Sequence, residues 1–155
     1  MSENEPRGVG GWLLLFVFGQ VLFGPLGAGV GIMQMWDRVG PHPFPVIRQM
    51  ATIIMMITLL VTAYGIIVGI VIWKGSKRGR TAARQYLMVR IAVAVVIFAS
   101  LTMWGFNSFG PSGAKRMALG IASPSVVEVG ASLLWLAYFT FSRRVRNTYC
   151  EDAEC

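Results

Sequence analysis

The chain reads as all-α: a polytopic membrane protein of four transmembrane helices with both termini on the cytoplasmic side (N-in/C-in). Three observations predict this. Only 14% of the 155 residues are charged while 55% are hydrophobic, against roughly 25% charged in an ordinary soluble domain. No charge occurs from Gln49 to Trp73, and Arg90 alone interrupts the uncharged run from Gln85 to Ala114. A helix needs about 20 mostly apolar residues to cross about 30 Å of hydrocarbon. Between these runs lies a basic connector, Lys74 to Arg84, holding Lys74, Lys77, Arg78, Arg80 and Arg84 with no acidic residue among them. Such a segment reads as a cytoplasmic loop.

The length suits one domain, 1–155, with helices at about 10–35, 46–73, 81–106 and 117–141 and a short basic tail, 142–155. Glu3 and Glu5 make the N-terminus acidic, unlike a secretory signal, so the first apolar run is expected to be a retained helix. Gly24-Pro25 predicts a kink or break near its middle. Trp12 and Trp36 mark its ends, where amphipathic rings favour the headgroup region. Gly27, Gly29 and Gly31 leave one side of it nearly bare. Pro41, Pro43 and Pro45, with His42 between the first two, predict an extended loop. A lone histidine there has no second ligand at metal spacing.

The second helix carries twelve Leu, Ile and Val residues between Ile53 and Ile72. They contribute about −4 to −7 kcal/mol toward insertion. Its Gly65-Ile-Ile-Val-Gly69 is a GxxxG, which lets another backbone approach closely. The expected neighbour is the bare side of the first helix, at Gly27 and Gly31, rather than a second copy. Arg90 lies one turn inside the third helix, where its long stem can snorkel to the connector's surface or take part in a structural pair; binding of an anionic headgroup or substrate is the alternative.

Gly110-Pro-Ser-Gly113 predicts an outer turn spanning 107–116. Pro124 and Ser125-Val-Val-Glu128 predict a helix restart with a capping box, the glutamate reaching back to the serine. Glu128 is otherwise an interhelical partner, or a proton or substrate site, since intramembrane ionisable groups are functional candidates. On this reading Arg90 lies toward the inner face and Glu128 toward the outer, which argues against a bond between them. Ten Leu, Ile, Val and Phe residues still carry the fourth helix into the membrane. Loop charges orient the whole: Arg7, the connector's five, Arg143, Arg144 and Arg146 on one side, nine in all, against Arg38, Arg48, Lys115 and Arg116 on the other. The positive-inside rule puts the nine in the cytoplasm.

The net charge of +7 does not point to nucleic acid, because the cations flank apolar spans and meet anionic lipid there. Cys150 and Cys155 sit in the last six residues, where a disulfide has nothing to staple; a reduced cytoplasmic tail is expected. No Ser/His/Asp set, paired carboxylates, metal spacing or phosphate loop occurs. The expectation is therefore no enzyme and no cofactor.

Gly8-Val-Gly-Gly-Trp-Leu13 opens the first helix, and Trp135-Leu-Ala-Tyr-Phe-Thr-Phe-Ser-Arg-Arg-Val-Arg-Asn-Thr-Tyr149 closes the last. Together they resemble a bacterial inner-membrane family known as domain of unknown function 2569. Its members look like four-helix proteins of about this length, with a glycine-tryptophan start and an end of the form W-x-x-Y-F-x-x-S-x-R-V-x-N-T-aromatic. The match falls on Trp135, Tyr138, Phe139, Ser142, Arg144, Val145, Asn147, Thr148 and Tyr149. The resemblance implies topology and location in the inner membrane, and supplies no activity. Read physically, Trp135 and Tyr138 mark the inner interface, and Arg143, Arg144 and Arg146 meet anionic headgroups at about 1 kcal/mol each. Ser142, Asn147, Thr148 and Tyr149 complete either a helix stop or a docking motif.

The expected function is a non-enzymatic accessory or interaction subunit of a larger inner-membrane assembly. Its partners are membrane lipids, including anionic headgroups, and other membrane protein subunits. The alternative is a small oligomeric transporter or lipid-handling protein using Glu128 and Arg90.

Overall fold

In the computed structural model, residues 11–39, 45–76, 78–142 and 145 are described, and every regular element among them is helical. The order is α1 (Trp12–Phe18), a π-helical turn (Gly19–Phe23), α2 (Gly24–Val39), α3 (Pro45–Trp73) and α4 (Gly79–Phe141). Three helical stretches are long and apolar enough to cross a membrane: Trp12–Asp37, Pro45–Trp73 and Gly79–Arg116. A shorter apolar helix, Ser125–Phe141, follows. The chain forms two compact units: the second is Arg84–Ser142, and the residues before and after it make up the first. The loop at His42 and the tail at Cys150 and Cys155 lie outside the described residues.

In the first unit, the expected break at Gly24-Pro25 takes a milder form. Gly24 donates its N–H to the Gly19 carbonyl, five residues back, so the ladder widens by one residue just before the proline. Opening the helix in this way accommodates Pro25 without ending it, and α2 continues to Val39, past the expected end at 35.

α3 starts at Pro45, whose fixed φ and missing N–H suit the first helical turn. At 29 residues and 1.5 Å per residue it is about 43 Å long. Its hydroxyls are satisfied locally: Thr52, Thr58 and Thr62 donate to the carbonyls of Arg48, Ile54 and Thr58 at 2.9, 2.9 and 2.7 Å. Each of these three threonines can therefore face apolar surroundings with its donor engaged. The helix ends in a Schellman motif: Gly75, at φ 64, gives its N–H to Ile72 O, and Ser76 gives its own to Val71 O. Only glycine takes that left-handed conformation without strain.

Leu13, Phe16, Val17, Ala51, Met55, Val68 and Ile72 form the core of this unit. Phe18 meets Trp73 edge to face, with centroids 6.1 Å apart.

The helical portion of α4 is two arms, 79–109 and 111–141, divided by Gly110 alone, at φ 69 and ψ −162. The expected ten-residue turn is thus a single residue. Pro111 sits at the first position of the second arm, where its missing N–H is harmless. Gly113 has no room for a side chain: a Cβ there would strike Phe109 Cβ and the Gly105 carbonyl.

The fourth helix begins at 111 rather than 117, and it passes through Pro124 without a break. Proline removes one backbone bond, but apolar surroundings hold no water to compete for the rest, and the helix survives. The capping box at Ser125 and Glu128 is thereby excluded, because Glu128 lies well inside a helix. Outward faces are predominantly apolar, with Leu60 68%, Leu134 75% and Phe141 83% exposed. A surface of this kind suits lipid rather than water.

Candidate functional site

The two ionisable side chains that the sequence places within apolar runs meet each other. Arg90 donates from Nε to Oε1 of Glu128 and from Nη2 to Oε2 at 2.8 Å, a two-pronged pair across the α4 hairpin. Nη1 reaches the Tyr86 hydroxyl at 3.5 Å. Planar guanidinium and carboxylate match in this arrangement, which is stronger and more directional than a single contact. The side chains are 30% and 35% exposed, so each retains one open edge.

This corrects the expectation that Arg90 and Glu128 lie toward opposite faces. Of the two readings of Arg90 within the bundle, snorkelling or structural pairing, the contact is the pairing, and it is Glu128 that changes level. Arg90 precedes Gly110 by 20 residues and Glu128 follows it by 18. At 1.5 Å per residue both stand about 27–30 Å from the turn. A one-residue turn makes the arms nearly symmetric about Gly110, and equal distance then means equal level. With a hydrocarbon core of about 30 Å, that distance puts both near the boundary away from the turn, where the cost of a charge is below its value at the membrane centre and pairing lowers it further for each.

Two neighbours complete a polar layer that the sequence reading missed. Tyr86 is buried one turn before Arg90, and Ser132 is buried one turn after Glu128. The register set by Arg90–Glu128 puts them at one level too. Ser132 is 2% exposed, and its Oγ has no hydrogen-bond partner among the described residues. The signal was the i, i+4 spacing of polar residues on both arms, mirrored about Gly110.

The glycines of the first unit divide. Gly65 and Gly69 are buried on α3. A Cβ on Gly69 would lie 2.7 Å from Val21 Cγ2, 3.5 Å from Gln20 Cβ and 3.7 Å from the Val17 carbonyl. The face that meets Gly69 is therefore Val17, Gln20 and Val21, not Gly27 and Gly31. Those two, and Gly29, are exposed with nothing within 4 Å of where a Cβ would stand. The reason is volume: the hollow at Gly69 is filled by a Val21 methyl, which a glycine could not supply.

Of the tail residues, Trp135 and Tyr138 stack edge to face at 5.8 Å and 88°, and Ser142 closes the last turn with its N–H on Tyr138 O at 3.0 Å. Arg143, Arg144, Arg146, Asn147, Thr148 and Tyr149 lie outside the described residues.

No curated protein and no solved structure matches the chain. The helices, the hairpin at Gly110 and the aromatic end at Trp135 and Tyr138 all fall within one continuous family match, covering residues 6–150. The chain belongs to the family described as protein of unknown function (DUF2569).

Proposed function

We propose that this chain is a small, non-enzymatic integral membrane protein that serves as an accessory or interaction subunit of a larger assembly in the bacterial inner membrane. It crosses four times, the second arm of α4 supplying the fourth span, with both termini cytoplasmic. The observation that carries this reading is the open glycine face of α2. Gly27 and Gly31, four residues apart, share one face of the helix; a Cβ placed on either would have nothing within 4 Å, and exposed Leu26 and Val30 lie beside them. Each glycine weakens a helix interior by about 1 kcal/mol relative to alanine. Two on one face gain nothing in return within this chain, whereas a face flattened in this way lets another membrane helix approach closely. The partner is accordingly a membrane-spanning subunit.

Purification in a gentle detergent at native expression tests this. A stoichiometric membrane partner should accompany the wild type and be lost with Gly27→Leu or Gly31→Leu, which leave this chain folded. Retention of the partner by both variants would remove the glycine face from consideration. Orientation is tested in a Cys150→Ser, Cys155→Ser background, where a cysteine at Ser112 should be labelled from outside and one at Ser76 should not.

A second reading, a small oligomeric transporter or lipid-handling protein, is favoured by the partly exposed Arg90–Glu128 pair with the Tyr86 hydroxyl beside it. A lone oligomer carrying bound lipid, with no partner, would turn the balance to it.

A further inference from the structure

Beside the ion pair, the two arms of α4 leave a groove of about 400 Å³ on one side of the hairpin. Ala94, Val95 and Phe98 line it from the first arm, and Val126, Gly130 and Leu133 from the second. Apart from Ser125, every lining side chain is apolar. The space exists because small residues meet there; a Cβ on Gly130 would have nothing within 4 Å.

What covers this groove is indicated by the cation at its end. Arg84 precedes Val95 by 11 residues, which is three turns, so both lie on one stripe of the helix. The separation along the axis is about 16 Å. Arg84 is exposed and makes no hydrogen bond or ion pair among the described residues. The Arg90–Glu128 register puts Leu133, the lining residue farthest from the turn, level with Gln85, so the groove reaches from about the level of Arg84 toward the turn. Half of a hydrocarbon core of about 30 Å is about 15 Å. The groove and its cation thus match one leaflet's depth, cation outermost. Arg90, between them, is already engaged at Nε and Nη2 by Glu128, leaving Arg84 as the anion's partner.

We propose that this groove holds one acyl chain of an anionic phospholipid whose headgroup phosphate rests on Arg84. The proposal rests on the membrane-spanning reading above and adds a defined lipid site to it. The neutral Arg90–Glu128 pair fixes the register that keeps the groove open.

The test uses the full chain in mild detergent, titrated with palmitoyl-oleoyl phosphatidylglycerol or the matching phosphatidylcholine, with bound lipid counted by native mass spectrometry. The wild type should retain one phosphatidylglycerol per chain, preferred over phosphatidylcholine by about fivefold, as expected for one basic residue at a membrane surface. Arg84→Gln should bring that preference to about one while leaving acyl-chain binding in place. Gly130→Leu should weaken binding of both lipids by about tenfold or more, since its side chain takes the place of about two buried methylenes.

Val126 is 69% exposed at the rim, so Val126→Trp covers the groove without entering the core and decides the matter if Gly130→Leu unfolds. Equal retention of the two lipids by the wild type would overturn the proposal. So would wild-type lipid binding by a folded Gly130→Leu or Val126→Trp. Carbonate extraction separates the two levels: a chain released from membranes sinks the membrane reading itself, whereas a retained chain with those lipid results sinks only the site.

Discussion

The two hairpins of this chain are fastened by different physics. In the first, α3 meets α1 and the π turn by shape: Gly69 is the hollow and Val21 the projection that fills it, with Phe18 against Trp73 beyond. Among the described residues of this seam no formal charge takes part. In the second, the arms of α4 are joined by Arg90 and Glu128. A shape seam is sensitive to volume and indifferent to charge, and its attraction is the sum of many weak contacts. An ion pair in apolar surroundings is sensitive to both partners together, because removing one strands the other.

The largest effect should come from stranding a charge. Glu128→Ala is expected to destabilise the protein by about 2–3 kcal/mol, below the roughly 3–5 for a fully buried pair because about a third of each side chain is exposed. The double exchange Arg90→Glu with Glu128→Arg should regain at least half of that. Denaturant titration in detergent measures it; additive losses in the double variant would mean the pair does not fasten the hairpin. Glu128→Gln tests the charge separately: it keeps an acceptor for Arg90 but leaves the cation unbalanced, and should fall between wild type and Glu128→Ala.

Next in size is the shape seam. Gly69→Leu should lower stability by about 1–3 kcal/mol through overpacking against Val21, while Ala63→Leu, on an exposed position of the same helix, should change it by less than about 0.5. Equal melting temperatures for these two would abolish the distinction between the faces of α3. The smallest effect concerns the turn that sets the register. Gly110→Ala places a side chain at φ 69 and ψ −162, a conformation nearly reserved to glycine, and should destabilise by about 1 kcal/mol or slightly more. If it also weakens the coupling between Arg90 and Glu128 in the exchange experiment, turn and pair act as one device.

The helical class was legible because long uncharged runs leave a chain few choices once water is excluded. The runs before Trp73 and after Arg90 show this. Glycine at 110, followed by proline, marked a chain reversal for an equally local reason. Pairing was harder. Pro124 followed by Ser125 and Glu128 carries every local mark of a helix start, yet the helix runs through it, because local bonding rules formulated for water lose force in apolar surroundings.

That misplaced restart also put Glu128 on the wrong level, although counting from Gly110 would have matched it to Arg90. Gly27 and Gly31 were assigned to the seam on composition alone. Which glycine is filled depends on the residue opposite, and no local pattern names Val21. The groove was out of reach for the same reason: it arises from Ala94 and Gly130 sharing a neighbourhood, which only the register decides.

The separation of 38 residues between Arg90 and Glu128 also has a meaning in time. A ribosome adds about 5–20 residues per second, so the arginine is made about 2–8 s before the carboxylate that balances it. Throughout that interval the first arm of α4 offers the bilayer an unbalanced cation, and its final depth is settled only when the second arm arrives.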